Sequence, residues 1–145
     1  MVRTGKFLLI GAVLVVAFGL VLGSQGVVSA QDAKLIKIHS VGEEKLAGLF
    51  IDPASAYIKK NAIVVWMSGV AQSDIKIEFA DGKACKSVTA YAVDFDLDKE
   101  RWCYVTSAVP FAGTSSLQFT DVGEYVYKVI TKDGKISATG RLIVE

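Results

Sequence analysis

The chain is poor in the residues that most protein chemistry needs. Its 145 residues include one histidine, His39, two cysteines, Cys85 and Cys103, and two prolines. With a single imidazole and no Gly-x-Ser-x-Gly turn, nucleophilic catalysis of the Ser/His/Asp type has no base to draw on. No glycine-rich loop is present to cradle a phosphate, and no basic stripe is present to bind nucleic acid. Beyond residue 30 no apolar spacing sustains a helix of three turns, and there is no internal repeat or low-complexity tract. Together these absences argue against an enzyme and against a nucleic-acid partner.

One long apolar run is present. "MVRTGK" carries Arg3 and Lys6, and the uncharged "FLLIGAVLVVAFGLVLG" follows from Phe7 to Gly23. In "VVSAQD", Val28 and Ala30 occupy the small-residue positions that a signal peptidase prefers, which sets a cut between Ala30 and Gln31. Residues 1–30 are therefore expected to be a signal peptide or an uncleaved membrane anchor, with membrane contact only through residues 7–23 if they are retained. Either way the positive flank stays in the cytoplasm and the remainder is exported, to the periplasm or outside the cell. Without Arg3 and Lys6 the 16 basic residues fall to 14 against 15 acidic ones, leaving an almost neutral domain.

Residues 33–145 read as one domain of short strands. "AKLIKIHS" alternates, with Leu35, Ile36 and Ile38 set against Lys34, Lys37 and His39. Asp52-Pro53 makes a turn. Ile63 to Trp66 form an apolar strand, and "DIKIEF" puts Ile75, Ile77 and Phe79 on one face, Lys76 and Glu78 on the other. Asp81-Gly82 reads as a turn, and residues 83–100 are less regular. "RWCYVTSAV" and "SSLQF" are further strands. "GEYVYKVIT", Asp133-Gly134 and "RLIVE" form the strongest hairpin signal in the chain. Strands and turns in this rhythm predict an all-β sandwich.

The Gly-Glu-Tyr-x-Tyr strand, the turn and the closing Gly-Arg-Leu-Ile-Val resemble the C-terminal hairpin of the cupredoxins, the plastocyanin-type blue-copper family. "FIDPASAYIKKNAIVVWMS", "DIKIEF" and "GTSSLQFTDVGEY" are similar to successive parts of the same family, and the resemblance spans most of residues 35–145. It implies a Greek-key β-sandwich. Type-1 copper is held there by a cysteine thiolate, two histidines and a weak axial methionine. The matching positions in this chain are Ile75, Val129, Lys132 and Ala138. None is a copper ligand, so the resemblance implies a copper-free member with no metal and no other cofactor.

Other residues were weighed for chemistry of their own. His39 is expected to be an exposed histidine on its strand, and Met67 core filler. Asp94, Asp96, Asp98 and Glu100 alternate with Phe95 and Leu97, as on a half-exposed strand or turn, and lack the glycine of a calcium loop. In an exported protein, an even cysteine count suggests a Cys85–Cys103 disulfide. It would close a loop of roughly 19 residues, with a stabilisation of about 3 kcal/mol in the chain-entropy account. The aromatic residues, including Tyr125 and Tyr127 on one strand face, are expected to fill the core.

The sequence thus predicts an exported, copper-free, cupredoxin-like binding or assembly module, whose partner is another exported or membrane protein. The alternative is a periplasmic electron-transfer or metal-handling protein with a non-standard site, built from His39, Met67, the cysteines and the acidic run.

Overall fold

The computed structural model describes residues 32–42, 44–79, 89–98 and 103–145. Within them lie β1 (Ala33–Val41), β2 (Gly48–Asp52), β3 (Ser55–Ile58), β4 (Ile63–Gly69), β5 (Ile75–Phe79) and β6 (Thr89–Val93). β7 (Phe95–Asp98), β8 (Cys103–Thr106), β9 (Thr114–Phe119), β10 (Gly123–Thr131) and β11 (Ser137–Val144) complete the series. The expected all-β sandwich is present. One sheet has the order β2-β1-β4-β9-β6, the second β3-β11-β10-β5-β8-β7. Pairing is antiparallel except between β1 and β4 and between β3 and β11. No helix among the described residues is long and apolar enough to cross a membrane. The apolar run, the signal or anchor assigned to residues 1–30 and the Asp81-Gly82 turn lie outside those residues.

Period-2 alternation decides which side chains enter the core. In β4, Val64, Trp66 and Ser68 are buried while Ile63, Val65, Met67 and Gly69 face outward. β5 buries Ile75, Ile77 and Phe79, and β10 buries Tyr125, Tyr127 and Val129. Two expectations need correction. Leu35 is not on the side of Ile36 and Ile38 but is exposed with Lys37 and His39, because strict alternation separates neighbours. Met67 is not core filler; it is half-buried on the outer face, opposite in direction to Trp66.

Both flanks are closed by a strand that passes from one sheet to the other. β2 leads around the cis Asp52–Pro53 peptide into β3. β6 leads through Asp94, at φ 59°, into β7. Such corners are how a sandwich limits its free edges. The sequence reading put only a turn in "FIDPASAYI" and little order in residues 83–100, so it missed β2, β3 and β6.

The core is aromatic. Trp66 meets Phe95 and Tyr127 edge-on, each at 5.5 Å, and Phe79 at 5.8 Å. Such pairs each contribute roughly 0.5–1.5 kcal/mol beyond area burial. Tyr127 lies opposite Gly140 on β11, and a Cβ there would overlap its ring. The glycine is thus the space in which the tyrosine packs. Trp66 Nε1, Ser115 Oγ and Tyr127 Oη are buried without a hydrogen-bond partner among the described residues. Burial pushes the Tyr127 phenol from 10.0 up to about 12. The nearby Trp66 indole N–H opposes part of that rise, although the two atoms fall outside hydrogen-bonding geometry. Tyr125 donates from its hydroxyl to the Asp121 carbonyl at 2.9 Å, pinning the β9–β10 connection.

Candidate functional site

At one end of the sandwich four segments surround an open cleft of about 1210 Å³. They are the β1–β2 loop at Glu44–Leu46, the β4–β5 loop from Val70 to Asp74, Pro110 and Phe111 ahead of β9, and the β10–β11 turn from Thr131 to Ile136. Each is held locally. Ala112 N donates to Ser68 O at 2.7 Å and Ser68 N to Gly113 O at 2.9 Å, tying the Pro110–Gly113 turn to β4. Phe111, at the tip of that turn, is 60% exposed. In the β10–β11 turn, Thr131 Oγ1 donates to Asp133 Oδ1 at 2.7 Å, and Lys135 N donates to the same oxygen at 3.1 Å. These bonds, the threonine's first, lower the Asp133 pKa from its ordinary value. Gly134, at φ 74°, supplies the left-handed residue the turn needs.

The four positions matched to copper ligands lie near this cleft on neighbouring strands and the β10–β11 turn, Lys132 lining it. Ile75 pairs with Thr131, and Val129 pairs with both Ile77 and Ala138. Lys132 N donates to Asp74 O at 2.9 Å, and its ammonium lies 3.5 Å from Asp74 Oδ2. Ile75 and Val129 are fully buried, and Ala138 packs against the core. Copper does not fit here. Two aliphatic side chains and a methyl group carry no lone pair, and the lysine side chain is engaged in an ion pair with Asp74. Where the thiolate and one imidazole would stand, Val129 and Ile75 continue the apolar core.

The other candidates are scattered. His39 is exposed on the outer face of the first sheet, its ring 6.4 Å from Phe50 and lying over Gly69. Met67 shares that face one register step away. Neither lines the end cleft. Asp94 and Asp96 are exposed on the far flank, the latter paired across strands with Val105. The Asp98 side chain and Glu100 lie outside the described residues. So does Cys85, and only the backbone of Cys103 is described, at the start of β8; the expected disulfide falls outside what the structure describes.

The cleft itself was missed by sequence reasoning, because its walls come from four loops far apart in the chain. Its charges balance: Lys132 pairs with Asp74 and Lys135 with Asp133 at 3.6 Å, beside Glu44 and Lys45. Leu46, Val70, Phe111 and Ile136 form its apolar part. A site of this composition suits an amphipathic polypeptide better than a single ion.

No protein-family model matches the chain, and no curated protein matches it. Solved structures do. A methionine-to-alanine variant of amicyanin in its Cu(I) form has a TM-score of 0.47 and 17% identity, covering 78% of this chain and 82% of that one. Amicyanin from Paracoccus versutus (Thiobacillus versutus) has a TM-score of 0.48 and 16% identity, covering 79% and 82%. Amicyanin is a cupredoxin, the family the hairpin sequence resembles. At these values the likeness carries no argument about this chain's site or activity. The sandwich rests on its own two sheets.

Proposed function

We propose that this chain is an exported, copper-free binding module of cupredoxin-like type, not an enzyme, and that it takes a segment of another exported or membrane protein in its end cleft. The observation that carries the reading is an open amphipathic cleft next to an apolar core that offers no metal ligand at the matched positions. Ile75 and Val129 are fully buried, and the Lys132–Asp74 pair lies beside an amphipathic cleft rimmed by the exposed ring of Phe111. A partner's apolar side chain would bury against Phe111 and Leu46, with its backbone on the polar lip. Buried aromatic anchors of this kind dominate interface energies. Export follows from the charged start and the apolar run of the sequence. An electron-transfer or metal-handling role would need His39, Met67, the cysteines and the acidic run to converge, and Cys85, the Cys103 side chain, the Asp98 side chain and Glu100 lie outside the described residues. Among the described residues, no three His, Cys, Asp or Glu side chains converge.

Two measurements test this. Addition of Cu²⁺ to the purified protein should give no intense visible charge-transfer band, and a blue protein with one tightly held copper would overturn the reading. A photo-crosslinking residue placed at Phe111 in cells should capture a discrete partner, while the same residue at Lys128, on the outer face of the second sheet, should not. Equal labelling from both positions would remove the cleft from the proposal.

A further inference from the structure

The outer face of the first sheet is apolar without being covered. Leu35, Val41, Phe50 and Val93 are 45%, 49%, 56% and 56% exposed. Val65 pairs with Leu35 on one side and with Ser116 on the other, and Ser116 pairs with Val93, so apolar surface runs across β2, β1 and β4 and is interrupted by Ser116 before Val93. A sheet with one solvated face ordinarily alternates apolar-in and polar-out. Contiguous exposed apolar surface marks contact with another body.

The β1–β2 ribbon at the edge of this face indicates which body. Lys37 stands opposite Asp52, His39 opposite Phe50, and Val41 opposite Gly48. Lys37 and Asp52 are exposed, and neither makes an ion pair among the described residues. Each cross-strand pair joins complements: opposite charges, two rings, a branched side chain and none.

We propose that a second copy of this chain docks on this ribbon, about a twofold axis lying along the sheet surface between β1 and β2. Such an axis sets each member of a pair over the other member in the second copy. Lys37 then meets Asp52 twice, His39 meets Phe50 twice, and Val41 fills the space above Gly48 twice, with no like charges opposed. An isologous contact requires a self-complementary surface of this kind. The ribbon's two charges cancel, so it offers no field to draw in a strongly charged partner or an anionic lipid surface. None of these six residues lines the end cleft, and the dimer stands whatever the cleft holds.

The test is a charge-swap mixing experiment on the intact protein, read by sedimentation velocity. The unaltered protein should sediment as a dimer that dissociates on dilution. Lys37→Asp leaves two acids on the ribbon and Asp52→Lys leaves two bases, so each variant alone should dimerise at least about tenfold more weakly. An equimolar mixture of the two should regain the dimer, because every contact across the axis is again of opposite sign. Circular dichroism should show both variants folded, since both positions are exposed. A protein that stays monomeric at ~100 µM, single variants that dimerise as the unaltered protein does, or a mixture that stays monomeric would each overturn the proposal. So would binding of the monomeric protein to phosphatidylcholine vesicles, which would assign the face to lipid.

Discussion

The two outer faces of the sandwich use the same strand geometry and differ in their mixture of side chains, the second sheet setting Tyr57 and Val126, 66% and 42% exposed, among its charges. On the second sheet Lys128 sits between Glu78 and Thr139, and Arg141 Nε reaches Glu124 Oε1 at 3.0 Å. Cross-strand charge pairs of this kind suit a solvated face. On the first sheet the equivalent positions hold Leu35, Val65, Met67 and Phe50, with Lys37 and Asp52 as the charges of the β1–β2 edge. Both sheets bury one face in the same aromatic core, so the core does not demand an apolar exterior on either. Under the dimer proposal, the exposed apolar residues of the first face serve assembly rather than folding.

The largest expected effect removes what the faces share. Trp66→Ala empties the centre of the core and should cost about 3–5 kcal/mol, read as a shift in a denaturant titration. If the loss is under 1 kcal/mol, the two sheets are not held by a common aromatic core. Next comes pH. The Tyr127 phenol has its pKa raised from 10.0 to about 12, so the folded state holds this proton more tightly than the unfolded chain does. Its contribution is fully present below pH ~10 and is lost as pH climbs towards 12, by roughly 2–3 kcal/mol. Tyr127→Phe should flatten that alkaline slope, and an unchanged slope would show that another group carries it. The smallest effect concerns the charged face. Arg141→Ala breaks an exposed pair with Glu124, both side chains being 53% exposed, and should cost less than about 1 kcal/mol, fading in high salt. On the first sheet Val65→Thr should change monomer stability as little. A loss of several kcal/mol there would mean that this face stabilises the monomer rather than serving a partner.

Some of this was written plainly in the chain. β5 and β10 show clean alternation, and their buried residues, Ile75, Ile77, Phe79, Tyr125 and Tyr127, follow from it. The exposure of His39 follows in the same way. The apolar outer face left a signal that was read too simply. Ile63, Val64, Val65 and Trp66 run apolar without a break, as in a strand covered on both sides, and Leu35 breaks the polar side of β1. β6 and β7 were obscured because β7 alternates acids with apolar residues, which a turn does equally well, and because a strand that changes sheets reverses its inward side at Asp94.

The sequence by itself determined that this is a chain of short strands, that it holds a single histidine and no set of copper ligands at the matched positions, and that the domain follows an apolar segment with a charged start. Those are matters of residue type and of period, and both are local. Tertiary structure alone decided that the four would-be ligand positions lie near one cleft, and that Phe111, Leu46 and Ile136 share its wall. It also decided that Gly140 is the space for the Tyr127 ring, and that Lys37 stands opposite Asp52 on an uncovered face. Each of these depends on which strands pair and in what register. Register is set by the global fit of side chains into one core, so no window of sequence contains it.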